Sequence, residues 1–339
     1  MTDNADLFAS QAAECRDLGS PFTARVLDLV PGLVDPTSAL GRRLLNTPAL
    51  PEAKLPLRLA GALHALARAG DALAAVYPPF DPDDAALASA LTRAFRQEAA
   101  ILPWLDQPPQ TNEVARSAVL IAVGHWLTAR YGLPLVLSEL GASAGVNLLW
   151  DHYALQAQDW RLGPAGPALT LTPDWHGAAP PSAPPLVIDR AGVDLFPLDP
   201  VADRDRLLAY IWADQTARLD RCKAALDLAA RHGTKVTKGC AAAWAEARLA
   251  NRPKALHLIF HTVAATYFSP ATTKRLHSAL AKAGAAATPD RPLAHLSMEW
   301  DGPAPGAALT LTLWPGGQTI ALGRADFHGR WVDWRAPPP

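Results

Sequence analysis

Hydrophobic residues in the first third of the chain recur at the spacing of amphipathic helices. Within residues 55–76, Leu57, Ala60 and Leu63 fall on one face, because side chains three or four positions apart are neighbours on a helix. Prolines separate this segment from similar ones, and proline marks helix ends and turns. The pattern predicts helices over residues 5–18, 21–29, 55–76, 83–102 and 111–131, with no strand before residue 135.

After residue 134 the pattern changes to short apolar runs that alternate with helical segments. This alternation predicts a mainly parallel sheet with helices on both faces. The sequence Pro315-Gly316-Gly317 predicts a tight turn that makes the last two strands an antiparallel hairpin. The predicted strands are residues 135–139, 185–189, 235–238, 256–261, 293–300, 308–314 and 318–323. The predicted helices between them are residues 145–153, 201–232, 240–250 and 270–283.

These patterns divide the chain into two predicted domains. Residues 1–110 form an all-helical domain, and residues 111–339 form an α/β domain. Within the second domain, residues 155–183 are rich in proline and glycine, which predicts an insertion or a lid.

The most informative segment joins the first predicted strand to the helix that follows it. The apolar run Leu135–Leu137 leads to the acid Glu139, and then to the small-residue loop Gly141-Ala-Ser143-Ala-Gly145. Backbone N–H groups at the start of a helix point outward, and small side chains let a ligand approach them closely. We therefore predict a site for an anionic or nucleotide-like ligand, with Glu139 placed to accept hydrogen bonds from it.

The order of these elements resembles that of the class I S-adenosylmethionine-dependent methyltransferases, over residues 111–334. The resemblance implies a Rossmann-like sheet, the cofactor S-adenosylmethionine, and a cofactor-binding role for Glu139, Gly141 and Gly145. It also implies that Asp189, at the end of the second predicted strand, accepts hydrogen bonds from the ribose hydroxyls.

Three features depart from the methyltransferase pattern. Ser143 stands where a glycine is usual, and we keep it among the predicted cofactor-binding residues although it leaves less room for the methionine part. Cys240 follows the third predicted strand, where a polar residue often contacts adenine, and a thiol is a weak acceptor. Residues 301–306 are too few and too rich in helix breakers for the helix that is usual there.

Four segments are also similar to an uncharacterised bacterial family catalogued as a domain of unknown function (DUF2332). The segments are Glu139–Asn147, Arg190–Asp194, Phe260–Tyr267 and His328–Trp331. This similarity covers most of the chain and implies no activity.

Three polar residues at or just after strand ends are candidates for catalysis. His261 ends the fourth predicted strand, and its ordinary pKa of about 6.5 lets it remove a proton from a methyl acceptor near neutral pH. Glu299 and Tyr267 lie at the same predicted edge of the sheet, and Glu299 also fits a base or a cation ligand. The structural alternatives are a histidine bonded to a backbone carbonyl and an acid that caps a helix or forms an ion pair.

Other polar residues are predicted near the same edge. Asp194 is open enough to line a cleft, whereas Asn112, Glu113 and Arg116 begin the helix that leads into the first strand. For the last three, helix capping and an exposed first turn are the competing interpretation.

Composition narrows the function further. The chain is 50% hydrophobic and 19% charged with a net charge of −1, which argues against general electrostatic binding of nucleic acid. No stretch is long and apolar enough to span a membrane. The three cysteines are scattered, and residues 1–11 lack the apolar core of a signal peptide, so we expect a cytoplasmic protein. His257 and His261 would lie about 13 Å apart on a strand, too far for one metal ion, and we predict no metal.

Two other interpretations remain open. The loop Gly141–Gly145 also fits the nucleophile elbow of α/β-hydrolases, with Ser143 as nucleophile and with downstream acids and His328 in the required order. Helices rather than strands precede it, and Glu139 would repel a developing oxyanion. The second alternative is a non-catalytic nucleoside-binding protein. We favour a methyltransferase for a small-molecule acceptor, with its cleft at the carboxyl ends of the parallel strands; the sequence leaves the acceptor and the oligomeric state open.

Overall fold

The computed structural model describes residues 4–46, 54–302 and 304–339. The chain forms two compact units, and each unit is built from two stretches of sequence. The first unit is Met1–Thr111 with Ala202–Asp220, and the second is Asn112–Val201 with Arg221–Pro339. Residues 202–220, which the sequence pattern assigned to the α/β domain, therefore belong to the helical unit.

Helices make up the described part of the first unit and alternate with strands in the second. In chain order the α-helices are α1 (Asn4–Asp17), α2 (Pro21–Leu33), α3 (Ala39–Gly41), α4 (Leu55–Arg68), α5 (Asp84–Phe95), α6 (Glu98–Leu105), α7 (Ser117–Tyr131), α8 (Arg204–Ala209), α9 (Thr216–His232), α10 (Ala241–Ala250) and α11 (Pro270–Ala285). A π-helical segment spans Arg42–Asn46, and 3-10 segments span Ala72–Ala75, Val114–Arg116, Val146–His152 and Ala265–Tyr267. The predicted helical N-terminal part of the chain is confirmed.

The helical unit is stabilised by apolar side chains that face inward from each helix. Phe8 of α1, Leu27 of α2 and Leu63 of α4 are fully buried in one cluster. Burying a side chain of this size stabilises a fold by about 1.5–3 kcal/mol. At the start of α5, Asp83 accepts a hydrogen bond from the Ala86 N–H, which satisfies one of the free donors of the first helical turn.

The strands of the second unit form one large and one small sheet. They are β1 (Leu135–Leu140), β2 (Ala154–Ala157), β3 (Trp160–Leu162), β4 (Thr170–Leu171), β5 (Asp174–His176), β6 (Val187–Asp194), β7 (Val236–Lys238), β8 (Leu256–Thr262), β9 (Leu293–Glu299), β10 (Ala307–Trp314), β11 (Gln318–Ala325) and β12 (Trp331–Trp334). The large sheet has the order β5-β12-β11-β10-β9-β8-β1-β6-β7, and the small one β3-β2-β4. Neighbouring strands are parallel in the run β7-β6-β1-β8-β9. Each strand from β9 to β12 is antiparallel to the next. The predicted mixed α/β fold with a mostly parallel sheet is confirmed.

The order of the strands reverses direction at the centre of the large sheet. Strands β6 and β7 lie on one side of β1, and β8 and β9 lie on the other. Where the connections from two neighbouring strands run in opposite directions, a crevice forms at the carboxyl ends of those strands. Proteins with α/β sheets bind ligands in this crevice. The register of β1 places Glu139 opposite Gly192 of β6 and Phe260 of β8.

Some predicted bounds differ from the structure, and others agree with it. Strand β6 runs over Val187–Asp194 rather than residues 185–189. The described residues of the interval 301–306 contain no helix, as the sequence pattern predicts, and Pro303 lies outside the described residues. Strand β10, which follows, is the antiparallel neighbour of β9. The predicted insertion at residues 155–183 carries short strands, and the last of them, β5, joins the large sheet beside β12.

A buried contact between α7 and the segment after β1 gives a test of this packing. A Cβ atom at Gly124 would lie 2.1 Å from the ring of Trp150, which is fully buried. We expect G124A to destabilise the protein by about 1–3 kcal/mol, as overpacked cores do, and urea unfolding measures the loss. Gly32 of α2 has open space at its Cβ position, so G32A is the matched control and should be neutral or stabilising. Equal losses in the two variants would contradict this account.

Candidate functional site

The carboxyl ends of the central parallel strands bring polar residues to one edge of the sheet. Near these ends lie Glu139 of β1, Asp194 of β6, His261 of β8 and Glu299 of β9. The sequence placed Glu139, His261 and Glu299 at this edge from the strand pattern alone. Parallel neighbours end together, so the four side chains form the candidate site.

Glu139 is buried at the end of β1, with 1% of its surface exposed. Its Oε2 atom has no hydrogen-bond partner among the described residues. Burial raises the pKa of the Glu139 carboxyl well above its ordinary value of 4.5, the charge of Asp194 raises it further, and Arg116 lowers it. A buried carboxylate without donors is costly, so this environment favours either the protonated acid or a ligand that donates to it.

The loop after β1 contains three backbone positions in the left-handed region. The φ angle is +78° at Gly141, +50° at Ser143 and +71° at Gly145, a conformation that glycine adopts without strain and serine does not. The Ser143 N–H donates to Asp194 Oδ2 at 2.9 Å, and the Phe196 N–H donates to Oδ1 of the same carboxylate at 2.8 Å. Asp194 therefore stabilises the loop from the neighbouring strand.

The same loop is covered by neighbouring residues. Ala142 and Ala144 have 0% and 1% of their surface exposed, and a Cβ atom at Gly141 would lie 2.6 Å from the Cβ of Ala264 in the turn after β8. The predicted α-helix after the loop is a 3-10 segment that is irregular at Leu149. The predicted α-helix is therefore wrong in type, and so short a segment supplies little of the aligned dipole of an α-helix.

His261, which is buried, and Glu299, which is partly buried, form a pair across strands β8 and β9. The His261 Nδ1 atom lies 2.6 Å from Glu299 Oε1, and the same oxygen accepts the backbone N–H groups of Ala264 and Ala265 at 2.9 and 3.1 Å. Burial raises the pKa of Glu299, but the bond to His261, the charge of His261 and the two N–H groups outweigh burial, and the net pKa is lowered. An ionised Glu299 places the His261 proton on Nδ1 and leaves Nε2 as the basic nitrogen.

Two further rings contact the imidazole of His261. The ring centroid of Phe268 lies 6.0 Å away and that of His295 lies 5.1 Å away. Burial lowers the pKa of His295 well below its ordinary value, and the charges of His261 and His277 lower it further. A neutral His295 places no like charge beside His261.

Two residues that the sequence assigned to the site lie apart from the buried group. Asp189 is the third residue of β6 and lies opposite Val136, near the start of β1. Its carboxylate pairs with Arg248 of α10, and Asp189 does not end the strand. Tyr267 has 73% of its surface exposed and does not belong to the buried His261 and Glu299 pair.

Polar side chains from the segment before α7 reach this edge of the sheet. Asn112 donates to the Ala142 carbonyl oxygen at 3.3 Å, and Arg116 donates to the Thr262 carbonyl oxygen at 3.0 Å. Sequence analysis identified both residues as candidates. It overlooked Asn147, which is buried and donates to a backbone carbonyl oxygen at 3.3 Å; its signal is one amide side chain within the apolar run after the loop.

Ser143 lacks the contact that would activate it as a nucleophile. Its Oγ atom is buried and has no hydrogen-bond partner among the described residues, whereas a nucleophilic serine needs a base within about 3 Å. His328, the histidine of the hydrolase interpretation, lies between β11 and β12, where its backbone N–H donates to Asp326. These contacts weigh against a serine hydrolase.

Within the part of the chain that the structure describes, no group of three or more His, Cys, Asp or Glu side chains fits a metal ion. His257, four residues before His261, bonds instead to Ser138 Oγ at 2.8 Å inside the sheet. Burial lowers the pKa of His257 to about 3, and the charges of Arg248 and Arg252 add to this effect. Among the described helices, none has the length and apolar character needed to cross a membrane.

Comparison with known proteins assigns a family but no precedent for the site. Residues 5–334 match a family described as an uncharacterized protein conserved in bacteria (DUF2332). No curated protein and no solved structure matches the chain. The chemistry of the site therefore has to be inferred from its own residues.

Replacing Glu139 with glutamine tests whether the buried Glu139 carboxyl is protonated in the folded protein. Because the fold raises the pKa of Glu139 above 4.5, the folded protein holds a proton that the unfolded chain loses, and stability falls as pH rises through the raised pKa. The E139Q variant has no such proton, so its free energy of unfolding should stay level where that of the native protein declines. Urea unfolding over a series of pH values measures both curves, and parallel curves would rule out this role for Glu139.

Replacing Glu299 with glutamine tests the buried pair and has the opposite pH dependence. The pKa of Glu299 is lowered, so its stabilisation is present near neutral pH and is lost as pH falls through the lowered pKa. E299Q should be about 3–5 kcal/mol less stable near neutral pH, the usual loss when one charge of a buried pair is removed. Glu246, paired with Arg275 on the surface, supplies the control: E246Q should cost less than about 1 kcal/mol. An E299Q loss as small as the control would contradict the pairing.

Proposed function

The chain belongs to the DUF2332 family of uncharacterized bacterial proteins, and we propose that it is an S-adenosylmethionine-dependent methyltransferase with a small-molecule acceptor. The observation that carries the proposal is the buried Oε2 atom of Glu139, which has no partner among the described residues. A ligand that donates to this oxygen is one of the two ways in which its burial is offset, the other being a proton on the acid itself. A nucleoside ligand supplies such donors through its hydroxyl groups.

The strand order supports a Rossmann-like, methyltransferase-type sheet. Counted along the chain, the parallel strands lie in the order third, second, first, fourth and fifth. This order matches the first five positions of the dinucleotide-binding sheet, in which the ligand lies where the order reverses. Glu139 lies near the carboxyl end of the first of these strands, which supports a ligand site at its unpartnered oxygen.

The residues of the loop fit the cofactor in part. Glu139 would accept from the hydroxyl groups of the nucleoside, and the Ser143 Oγ atom, also without a partner among the described residues, offers a second polar contact. Gly141 and Gly145 leave no such room in this structure, since a Cβ atom would lie 2.6 Å from Ala264 at the first and 2.7 Å from Thr234 at the second. With Asp189 in an ion pair, the acid at the carboxyl end of β6 is Asp194, whose oxygens accept from the loop; its task would be to hold the loop.

Access to the loop requires the turn after β8 to shift, because Ala264 lies against Gly141. Val263, which begins that turn, has a φ angle of +53°. This conformation is strained for a β-branched residue and costs on the order of 1–3 kcal/mol. Release of this strain would offset part of the cost of moving the turn.

His261 would act as the base of the reaction. S-adenosylmethionine supplies an activated methyl group when bound, so the chain has to orient the acceptor and take its proton. The Nδ1 atom of His261 is fixed by Glu299, which leaves Nε2 to accept the proton. Glu299 holds this orientation and stabilises the positive charge that forms on the imidazole.

Calorimetric titration with S-adenosylmethionine and S-adenosylhomocysteine tests the proposal. Both should bind, and E139Q should weaken binding about 10- to 100-fold, since a hydrogen bond to a charged group contributes about 1.5–3 kcal/mol. Donors from the ligand favour the ionised Glu139, so binding should release a proton and tighten as pH rises. Titrations in two buffers with different ionisation enthalpies measure that release, and E246Q is the control.

Other results of the same experiment separate the alternatives. If neither compound binds, or if E139Q and E246Q bind equally well, the cofactor assignment is wrong. Labelling of Ser143 by a fluorophosphonate would support a serine hydrolase instead. If adenosine, S-adenosylmethionine and S-adenosylhomocysteine all bind with equal affinity, the result would indicate a nucleoside-binding protein without a methyl-transfer role.

A further inference from the structure

A proline-rich segment connects the two outer parts of the large sheet. Residues 177–186 leave β5, at one edge of the sheet, and lead to β6, which lies next to the other edge. Four of these ten residues are prolines, and the segment contains neither helix nor strand. Proline lacks an N–H group and favours an extended chain, so the segment can form few backbone hydrogen bonds. We call residues 177–186 the strap.

The strap is held at its two ends and at one point between them. At the ends, hydrogen bonds join it to β5 and to the first residue of β1. Between these ends, the Ala183 N–H donates to the Nδ1 atom of His125, on α7, at 3.1 Å. Within the described chain, no other hydrogen bond joins residues 179–185 to a part of the protein outside the strap. The same N–H lies 3.2 Å from the Pro181 carbonyl oxygen, inside the strap itself.

The contact with the strap requires an unprotonated Nδ1 atom on His125. The Ala183 N–H is a donor, so Nδ1 accepts, and the single proton of the neutral imidazole is on Nε2. A second proton would have to bind to Nδ1, where it would face the Ala183 N–H and remove the hydrogen bond. His125 therefore holds the strap only in its neutral form.

The surroundings of His125 keep it neutral near neutral pH. Every residue of α7 from Ser117 to Leu127 is buried, and His125 has 2% of its surface exposed. Burial alone lowers the pKa of His125 from its ordinary value of 6.5 to about 4. None of the titratable residues on α7 or on the elements packed against it contributes to this shift; these residues are Arg116, Arg130, Tyr131, Asp151 and His152.

We propose that His125 is an acid-sensitive clasp, from which a proton on the imidazole releases the strap while the sheet stays folded. This inference does not depend on the proposed function. In the released form His125 regains its ordinary pKa, so that form binds a proton that the clasped form does not bind. The clasp therefore has its full stability above pH 6.5 and loses it progressively as the pH falls toward about 4.

Amide hydrogen exchange of the full chain, measured by NMR from pH 6.5 to about 4, tests the inference. The protection factor compares the observed rate with the intrinsic rate at the same pH, so it removes the direct effect of pH on exchange. The protection factor of the Ala183 N–H should fall by up to about 300-fold over this range, the ratio that pKa values of 6.5 and about 4 imply. The amides of the central strand β1 should keep their protection.

Three variants separate the hydrogen bond from the titration. H125N places a side-chain oxygen where Nδ1 lies, so it should protect the Ala183 N–H without the fall at low pH. H125F keeps the size of the ring without an acceptor, so Ala183 should already be about tenfold less protected near neutral pH. His176, at the end of β5, is 60% exposed, so H176A is the matched control and should follow the native curve.

The proposal is overturned if Ala183 in H125N loses protection along the same pH curve as in the native protein. Native protection of Ala183 in H125F near neutral pH would overturn it as well. A simultaneous loss at Ala183 and in β1 of the native protein would show acid unfolding rather than release of the strap, and would also refute it. If H125N does not fold, the comparison of the native protein with H125F and H176A decides the question.

Discussion

A carboxylate buried at the edge of a sheet has to be neutralised by a proton, a cation or several hydrogen-bond donors, and three acids of this chain meet that constraint differently. Asp194 accepts two backbone N–H groups from the loops beside it. Glu299 accepts from His261 and from two N–H groups. The Oε2 atom of Glu139 has no donor among the described residues. The first two acids hold the loop and the turn beside them, whereas the third is the basis of the proposed ligand site.

The large sheet could be predicted from the sequence where its strands are buried on both faces. Strands β1 and β8 are buried at every position, and such strands read as continuous apolar runs. Strand β6 is different, because Ile188 and Asp189 are exposed whereas Gly192 and Val193 are buried. The apolar pattern therefore ended the predicted strand at Asp189, and the acid at its true end was only a secondary candidate. Pairing with β1 carries β6 on to Val193, and pairing with β7 carries it to Asp194; hydropathy records neither.

The candidate site could be predicted as a location more readily than as a set of contacts. His261 and Glu299 were assigned to one edge because adjacent parallel strands end together. Their bond depends on β8 and β9 being neighbours and on the register that sets His261 opposite Ser297. The hydrogen bonds that the Ala264 and Ala265 N–H groups donate to Glu299 depend on the left-handed conformation of Val263. No residue pattern shows a valine in that conformation, since its side chain opposes it.

Several local costs coincide at this edge. Ser143 adopts a left-handed conformation that glycine would adopt freely, and its buried hydroxyl has no partner among the described residues. Val263 is strained in the facing turn, and Glu139 is buried with an unpartnered oxygen. Folds usually place such costs at functional sites and offset them elsewhere. The buried core around β1 supplies that stability here, and a ligand with donors for Glu139 and Ser143 would remove two of the costs at once. The concentration of these costs in one loop and its facing turn is therefore a stronger argument for a binding site than any one of these residues alone.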